Sequence, residues 1–306
     1  MKALVTGATG LVGRELVRRL ERASVLSRDV RGIEQRFGEN VRGWAWQPES
    51  EPAPPAAFEG VEAVFHLAGE PVAEGRWTPE KRRRIEQSRV LGTRHLVKAL
   101  GALPALPRVL VCASAVGYYG DRGDEELLES TARGQGFLAD VCEKWEAEAR
   151  AAESIGIRVV TARLGLVLAP RGGALARMLP PFRLGLGGKL GDGRQWMPWV
   201  HLSDVVGLLL HAARDERLRG PMNVVGLEPA TNADFTRALG HALGRPAVLP
   251  VPRLALKVVF GELSEALLDS QRVVPGVARE THYAYAFPRL AAALEDCVRA
   301  ASSAKS

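Results

Sequence analysis

The chain has 306 residues, of which 46% are hydrophobic and 25% charged, and its formal net charge is +6. These values exclude a disordered chain and fit a globular protein that buries a substantial core. Cys112, Cys142 and Cys297 lack metal-ligand spacing, so we expect a reducing compartment and no metal site. Since no apolar run reaches about 20 residues, we expect a cytoplasmic protein without a membrane segment or membrane partner.

Basic residues are scattered along the chain, and the one tight run is KRRR at residues 81–84. No stacking-platform motif accompanies this run. It is more typical of a solvated helix face than of a nucleic-acid contact, and we expect no nucleic-acid partner.

The first predicted element is the apolar strand Lys2–Thr6, and GATGLVG follows it directly, before a helix predicted over residues 14–20. Glycines every three residues permit close backbone approach, and the helix N-terminus supplies N–H groups for a pyrophosphate. A plain strand-to-helix turn is the alternative interpretation. The cofactor contacts predicted in this loop are Gly7, Thr9, Gly10, Leu11, Val12 and Gly13.

A second predicted strand, Ala23–Leu26, ends in Ser27 and Arg28. An NAD-selective site has Asp or Glu here to hold the ribose hydroxyls. Because a guanidinium binds a 2′-phosphate bidentately and a serine can add a hydroxyl donor, this pair favours NADP(H) over NAD(H). The alternative is that Arg28 is a solvated loop residue.

The next predicted strands, Ala63–Leu67 and Arg108–Cys112, flank a helix predicted over Thr78–Leu100. The first strand ends in HLAGEP, whose small residues suit the sheet edge at which an open α/β sheet binds its ligand. The cofactor contacts predicted here are Leu67, Ala68, Gly69 and, on the helix, Arg89.

Ser114, Tyr118 and Tyr119 follow the strand that ends near Cys112, in the sequence ASAVGYYG. In a parallel sheet they share an edge with the glycine loop. Ser114 could hydrogen-bond a reacting carbonyl or the cofactor, and a phenol could act as acid or base. The alternative is that both tyrosines only pack in the loop.

TGATGLVG, HLAGEP and SAVGYYG in this order resemble an extended short-chain dehydrogenase/reductase. With AGEPVAEGRWTPEKRRRIEQSRV, LPPFRLGLGGKLGDGRQWMPWVHLSD and ATNADFTRALGHALGRPA, nearly the whole chain is similar to an atypical branch of that superfamily, the epimerase-family proteins. The resemblance implies an α/β fold, a Rossmann-type doubly wound parallel sheet with a smaller C-terminal substrate lobe, and NADP(H) binding.

The parent superfamily carries a tyrosine four residues before a lysine, which lowers the pKa of the phenol and holds the nicotinamide ribose. In FLADVCEKWE, Asp140 takes the position of that tyrosine and Lys144 that of the lysine. We therefore place Lys144 among the candidate catalytic residues, with Ser114, Tyr118 and Tyr119. The alternative is an ordinary Asp140–Lys144 helix salt bridge, worth about 0.2–0.5 kcal/mol.

In the second half, residues 157–170 predict a β-rich run that crosses the nicotinamide at Val167, and residues 172–201 predict a cap over a ligand pocket. Arg183, Lys189, Arg194 and Trp196 are candidate substrate contacts, or residues that only hold the cap together. His201 precedes a predicted helix N-cap at residues 203 and 204 and is interpreted as structural. The predicted Rossmann lobe comprises residues 1–170 and 200–220, and the substrate lobe residues 171–199 and 221–306.

These patterns predict an oxidoreductase or epimerase that acts on a small carbonyl or hydroxyl compound, with nucleotide sugars as one class. The missing tyrosine favours an alternative, an NADPH-binding sensor that signals through a partner. A homodimer is compatible with the sequence, which does not fix the oligomeric state.

Overall fold

The computed structural model describes residues 1–303. Seven strands form its central sheet: β1 (Lys2–Thr6), β2 (Arg22–Ser27), β3 (Val41–Ala45), β4 (Ala63–His66), β5 (Val109–Ala115), β7 (Arg158–Leu164) and β11 (Gly220–Val224). Three small two-stranded sheets pair β6 (Glu126–Leu127) with β13 (Arg272–Val273), β8 (Leu166–Leu168) with β10 (Trp199–His201), and β9 (Trp196–Met197) with β12 (Ala230–Thr231).

The central sheet has the strand order β3-β2-β1-β4-β5-β7-β11, and all of its pairs are parallel. The chain runs outward from β1 in both directions, so the order reverses between β1 and β4. An open α/β sheet binds its ligand in the crevice at such a point, outside the carboxyl ends of the strands. The predicted Rossmann-type fold is therefore confirmed.

The inner strands are apolar along nearly their whole length because helices cover both faces of the sheet. The helices are α1 (Leu11–Arg18), α2 (Ile33–Phe37), α3 (Pro79–Gly101), α4 (Phe137–Arg150), α5 (Gly173–Arg183), α6 (Leu202–Arg214), α7 (Asn232–Leu243), α8 (Arg253–Phe260), α9 (Leu263–Leu268), α10 (Gly276–Glu280) and α11 (Leu290–Ser303). Short 3-10 turns lie at Pro55–Phe58, Val116–Tyr119 and Ala151–Ile155.

A separate apolar cluster joins α5, α7 and α11 with β8. It supports the expectation of a second lobe, although the division itself stays a prediction. One boundary was wrong, because residues 221–224 were assigned to the substrate lobe. They belong to β11, which pairs with β7 at the edge of the central sheet.

Within the described residues, no helix is both long and apolar enough to cross a bilayer. The same part of the chain holds no group of three or more His, Cys, Asp or Glu side chains placed to bind a metal ion.

Candidate functional site

The loop between β1 and α1 depends on glycine for steric reasons. Gly7 has φ +70°, and a Cβ there would lie 2.7 Å from the Leu67 carbonyl oxygen. A Cβ at Gly13 would lie 2.2 Å from the Gly7 carbonyl oxygen. Gly10 caps α1 without a side-chain hydrogen bond, so the first N–H groups of the helix face the loop as donors for an anion.

A crevice of about 280 Å³ opens beside this loop, at the switch point of the sheet. The wall opposite the glycines includes Trp46, Pro48 and Glu49. Eight predicted cofactor contacts line the crevice: Gly7, Thr9, Gly10, Ser27, Arg28, Leu67, Ala68 and Gly69. The other predicted contacts, which do not line it, are Leu11, Val12, Gly13, Arg89, Ser114 and Val167.

Arg28 lies at the rim of the crevice with an exposed side chain. Its guanidinium has no hydrogen bond or ion pair with any residue that the structure describes. The neighbouring Asp29 is already paired with Arg31 at 2.8 Å, and this hydrogen bond lowers the pKa of Asp29 to about 2. Ser27 Oγ donates to the Asp29 carbonyl at 2.7 Å, so it shapes the loop that presents Arg28.

Beneath the crevice, three buried side chains, Thr6, His66 and Thr93, connect β1, β4 and α3 by hydrogen bonds. Thr6 Oγ1 accepts hydrogen bonds from the backbone N–H groups of Leu67 and Ala68, at 3.1 and 3.0 Å, and contacts His66 Nδ1 at 2.8 Å. Because the Thr6 hydroxyl proton goes to Nδ1, the ring proton lies on Nε2, which donates to Thr93 Oγ1 at 3.0 Å. Burial, with the Arg89 charge, lowers the pKa of His66 to about 4.

Sequence reasoning missed this chain of hydrogen bonds. The one available signal was that Thr6 and His66 end strands that pair in a parallel sheet, where they are direct partners. Their position fixes the backbone at residues 67 and 68, which forms the floor of the crevice.

Arg89 lies behind Gly69, with its guanidinium carbon 3.1 Å from a Cβ built on that glycine. It donates to the carbonyl oxygens of Glu70 and Ile85, at 3.0 and 3.1 Å, and stacks over the Trp145 ring. Burial lowers the pKa of Arg89, and among the described residues no carboxylate pairs with it. This arrangement leaves a positive charge that an anion in the crevice would offset.

Val12, in the first turn of α1, packs at the edge of an apolar cluster against which Val167 also packs. Leu11 Cδ2 lies 3.0 Å from a Cβ built on Gly173, so the start of α5 rests against the glycine loop. The predicted crossing of Val167 over a nicotinamide stays a prediction.

Ser114 is buried, and its hydroxyl donates to Glu146 Oε1 at 2.7 Å. Glu146, also buried, accepts two hydrogen bonds from Arg163, at 2.8 and 3.0 Å. Arg163 donates further to Tyr119 Oη at 2.9 Å, and Tyr119 donates to Asn223 Oδ1 at 2.7 Å. These five side chains, called the buried network below, join β5, α4, β7 and β11.

The two candidate tyrosines have different surroundings. Tyr119 is fully buried, and burial raises its pKa to about 12, so it is a poor acid or base near neutral pH. Tyr118 is half-buried, with the Arg163 guanidinium 3.5 Å from its ring centroid. Its hydroxyl has no hydrogen-bond partner among residues 1–303, which leaves it available to a ligand.

The face of α4 that contacts the end of β5 carries Leu138, Cys142 and Glu146. Leu138 packs on Gly117, and Cys142 Sγ lies 3.7 Å from the Ala115 carbonyl oxygen. Lys144 lies about 200° around the helix from Cys142. Its exposed ammonium contacts Glu86 Oε1 at 2.6 Å, which raises the pKa of Lys144.

The structure therefore does not bring Lys144 to Ser114. The Asp140–Lys144 salt bridge was also wrong, because Asp140 pairs with Arg133 at 2.7 Å. The two positions four residues apart that face β5 hold a leucine and a cysteine, so both the phenol and the amine of the parent superfamily are missing from this face.

A larger cavity, of about 800 Å³, opens over Gly117 and Leu138. Its other walls include Trp77 and Arg133, and Glu262, Glu265, Ala266 and Asp269 from the segment around α9. The expected cap, residues 172–201, lines neither this cavity nor the crevice, because its first part folds as α5 against the apolar cluster that joins α5, α7 and α11 with β8. Among the candidate cap contacts, Trp196 Nε1 donates to Asp124 at 2.8 Å, which favours a structural role.

The N-cap of α6 is His201 itself, whereas the sequence predicted an N-cap at residues 203 and 204. Its Nδ1 accepts a hydrogen bond from the Ser203 N–H at 3.2 Å, and its ring stacks on Phe287. Asp204 accepts from the backbone N–H groups of residues 286 and 287 instead of capping the helix. Burial lowers the pKa of His201 although Asp296 lies 3.4 Å away, so the structural interpretation stays favoured.

The parallel sheet and the glycine crevice at its switch point define a Rossmann-class protein with a dinucleotide-type site. A family model described as the NAD dependent epimerase/dehydratase family matches residues 3–226. A second model, a domain of unknown function (DUF1731), matches residues 251–297. The chain belongs to the NAD dependent epimerase/dehydratase family.

Similar proteins place it in the atypical branch inferred from the motifs. An epimerase family protein of Mycobacterium bovis is 40% identical over 282 residues, which cover 92% of both chains. The human epimerase family protein SDR39U1 is 35% identical over 302 residues, covering 97% of this chain and 100% of the relative.

Two solved structures illustrate the range of similarity. The crystal structure of human SDR39U1 (isoform2) with NADPH has a TM-score of 0.86 and 34% identity, and the match covers 98% of this chain and 99% of that one. A UDP-glucuronic acid 4-epimerase from Bacillus cereus has a TM-score of 0.80 at 15% identity, covering 99% and 100% of the two chains. The second likeness shows the fold alone.

Proposed function

We propose that this protein binds NADP(H) in the crevice between β1, β2 and β4. The observation that carries the proposal is the exposed Arg28 guanidinium, which lies at the rim without a partner in the described chain. A 2′-phosphate supplies the bidentate acceptor that such a group lacks. The human relative crystallised with NADPH supports the same choice.

The chain offers a role for each charged part of the cofactor. The N–H groups at the start of α1 would hold the pyrophosphate, Arg28 the 2′-phosphate, and the Arg89 charge would lower the cost of placing anions in the crevice. A bound nicotinamide supplies hydride transfer. What the protein adds is orientation, exclusion of water and a site for the accompanying proton.

The activity that fits best is that of an oxidoreductase or epimerase on a small carbonyl or hydroxyl compound, with nucleotide sugars as one class. Tyr118 is the preferred proton donor of the candidate set because it is half-buried and its hydroxyl has no hydrogen-bond partner among the residues that the structure describes. Ser114 is less suited to donate to a substrate, since its proton is directed at Glu146. The cavity of about 800 Å³ has room for a substrate of this size.

The cofactor proposal is tested by titrating the ligand-free protein with NADPH and NADH while following nicotinamide fluorescence. We expect NADPH to bind more tightly, and Arg28→Ala to weaken NADPH roughly 10- to 100-fold while leaving NADH nearly unchanged. Arg18→Ala, on the exposed end of α1, is the matched control. Equal affinity for both cofactors in the wild-type protein would contradict the proposal.

The proton-donor proposal is tested with Tyr118→Phe and Tyr119→Phe in a screen of carbonyl substrates with NADPH. We expect Tyr118→Phe to lower kcat about 100-fold or more, as loss of a general acid does, and Tyr119→Phe to lower stability instead. Unchanged turnover in both variants would remove the tyrosines from the mechanism.

A second candidate function, an NADPH-binding sensor, is favoured by one observation. Leu138 and Cys142 occupy the helix face where the parent superfamily has its phenol and amine. A sensor would bind NADPH as tightly as proposed but turn over no substrate in the same screen, and its affinity for a protein partner would change with the bound cofactor.

A further inference from the structure

A separate cavity, of about 480 Å³, lies beside α7, with no residue in common with the crevice. Four basic side chains line it: Lys189, Arg237, His241 and Arg245. Lys189 and Arg245 have no ion pair with any described residue, and Arg237 lies 3.4 Å from Asp234. This basic pocket therefore carries cationic groups that the fold does not neutralise.

Thr236 lines the same basic pocket and is only 3% exposed. Its hydroxyl has no hydrogen-bond partner in the described chain. A buried hydroxyl without a partner is unfavourable, so an acceptor or donor on a ligand is its natural partner. A pocket lined by this hydroxyl and by guanidinium and ammonium groups fits a phosphate.

Exposed aliphatic side chains adjoin the basic pocket, and Val248 belongs to both. This aliphatic patch comprises Leu184, Leu186, Val248, Leu249, Leu254 and Val258, which are 48–76% exposed. The backbone N–H of Leu249 donates to the Gly187 carbonyl, and Leu190 pairs with Val251, so the segments that carry Leu184, Leu186, Val248 and Leu249 lie side by side. Leu254 and Val258 follow on α8, which begins two residues after Val251. Exposed apolar surface of this extent marks a contact site.

We propose that the basic pocket and the aliphatic patch dock this protein on the anionic face of a lipid bilayer. A headgroup phosphate enters the pocket, and the aliphatic side chains enter the interface. The positive charge of this surface favours an anionic bilayer, because Arg253 and Lys257 lie beside Leu254 on α8. A second copy of the chain would instead bring the same cations against each other. The expectation of no membrane partner rested on the length of apolar runs, which does not test a peripheral contact.

The test is cosedimentation of the full chain with vesicles of phosphatidylcholine alone and of phosphatidylcholine with about 20 mol% phosphatidic acid. We expect binding only to the anionic vesicles and a loss of binding as salt is raised. Val248→Ser with Leu254→Ser should weaken binding about tenfold, and Lys189→Gln with Arg245→Gln about tenfold or more. Leu106→Ser, 42% exposed outside the patch, is the matched control.

Three outcomes would overturn the proposal. Equal binding of all variants would place the lipid contact elsewhere. Binding of inorganic phosphate or glycerol phosphate that Lys189→Gln and Arg245→Gln abolish, without vesicle binding, would make the pocket a site for a free phosphate. A dimer in sedimentation equilibrium that Val248→Ser with Leu254→Ser dissociates would make the patch an interface between copies.

Discussion

The crevice at the switch point and the buried network lie at the same edge of one sheet, yet their polar groups are used in opposite ways. In the crevice, Arg28 and the first N–H groups of α1 have no partner in the described chain. In the buried network, Ser114, Glu146 and Arg163 satisfy one another. Unsatisfied groups are available to a ligand, whereas satisfied ones hold elements together.

This contrast separates two kinds of candidate residue that a motif alone does not distinguish. Ser114 and Tyr119 stand in a motif of catalytic type, but their hydroxyl groups already donate hydrogen bonds to Glu146 and Asn223 within the protein. Arg28 stands in no motif beyond its position after β2, and its guanidinium makes no hydrogen bond within residues 1–303. We therefore expect mutations in the buried network to change stability and mutations at the crevice to change ligand affinity.

The largest effect is expected from Glu146→Gln, which leaves the buried Arg163 guanidinium without a countercharge. Removing one partner of a buried ion pair costs about 3–5 kcal/mol. Urea unfolding followed by circular dichroism measures this loss. Glu143→Gln, on the exposed side of α4, should cost less than about 1 kcal/mol as a control. Equal costs for the two variants would show that the network does not stabilise the fold.

The next largest effect is expected from the titration of His66, which lies between the crevice and the buried network. Its pKa is about 4 in the folded protein and about 6.5 when unfolded, so the unfolded chain binds more protons in this interval. Stability is therefore complete above pH 6.5 and falls as pH drops towards 4, by about 3 kcal/mol from this one group.

The measurement is the free energy of unfolding of wild type and His66→Asn from about pH 7.5 to about pH 4, which covers the interval of about 2.5 pH units between the two pKa values. Asparagine keeps a donor and an acceptor but does not titrate, so the difference between the two curves isolates His66. Parallel curves would mean that His66 is not held neutral.

The smallest effect is expected from Lys144→Gln. The ammonium is 54% exposed and its Glu86 partner 36% exposed, so the lost ion pair should cost less than about 0.5 kcal/mol. NADPH affinity should not change. A tenfold loss of NADPH affinity would instead identify Lys144 as a ribose ligand and would place it with the crevice residues.

Much of the sheet and its ligand edge could be predicted from sequence, because buried parallel strands are continuous apolar runs. β1 has its predicted bounds, and β2, β4 and β5 begin and end within three residues of theirs. β3 was missed, since this edge strand reads VRGWA and carries an arginine and a glycine. β11 was assigned to the wrong lobe, because its second residue is Pro221, which only an edge strand accommodates.

The catalytic part of the site was harder to predict for a physical reason. The apolar stripe of α4 identifies a helix with a buried face, but not which positions of that face meet β5. Contacts between Leu138 and Gly117 and between Cys142 and Ala115 settle that register, and both are tertiary. Glu146, the partner of Ser114 on α4, lies 32 positions further along the chain, and Arg163, the partner of Glu146 on β7, lies 17 positions beyond that, so no local pattern reveals them.

The outermost position of β11 has a consequence for biosynthesis. When β7 has left the ribosome, its outer edge presents unpaired N–H and C=O groups, and its partner follows only after residues 165–219 have been made. An open strand edge is a template for pairing with other chains. The growing chain is thus most exposed to misassembly during this interval, and a ribosome-bound chain that ends before residue 220 should need chaperone protection more than one that ends after residue 224.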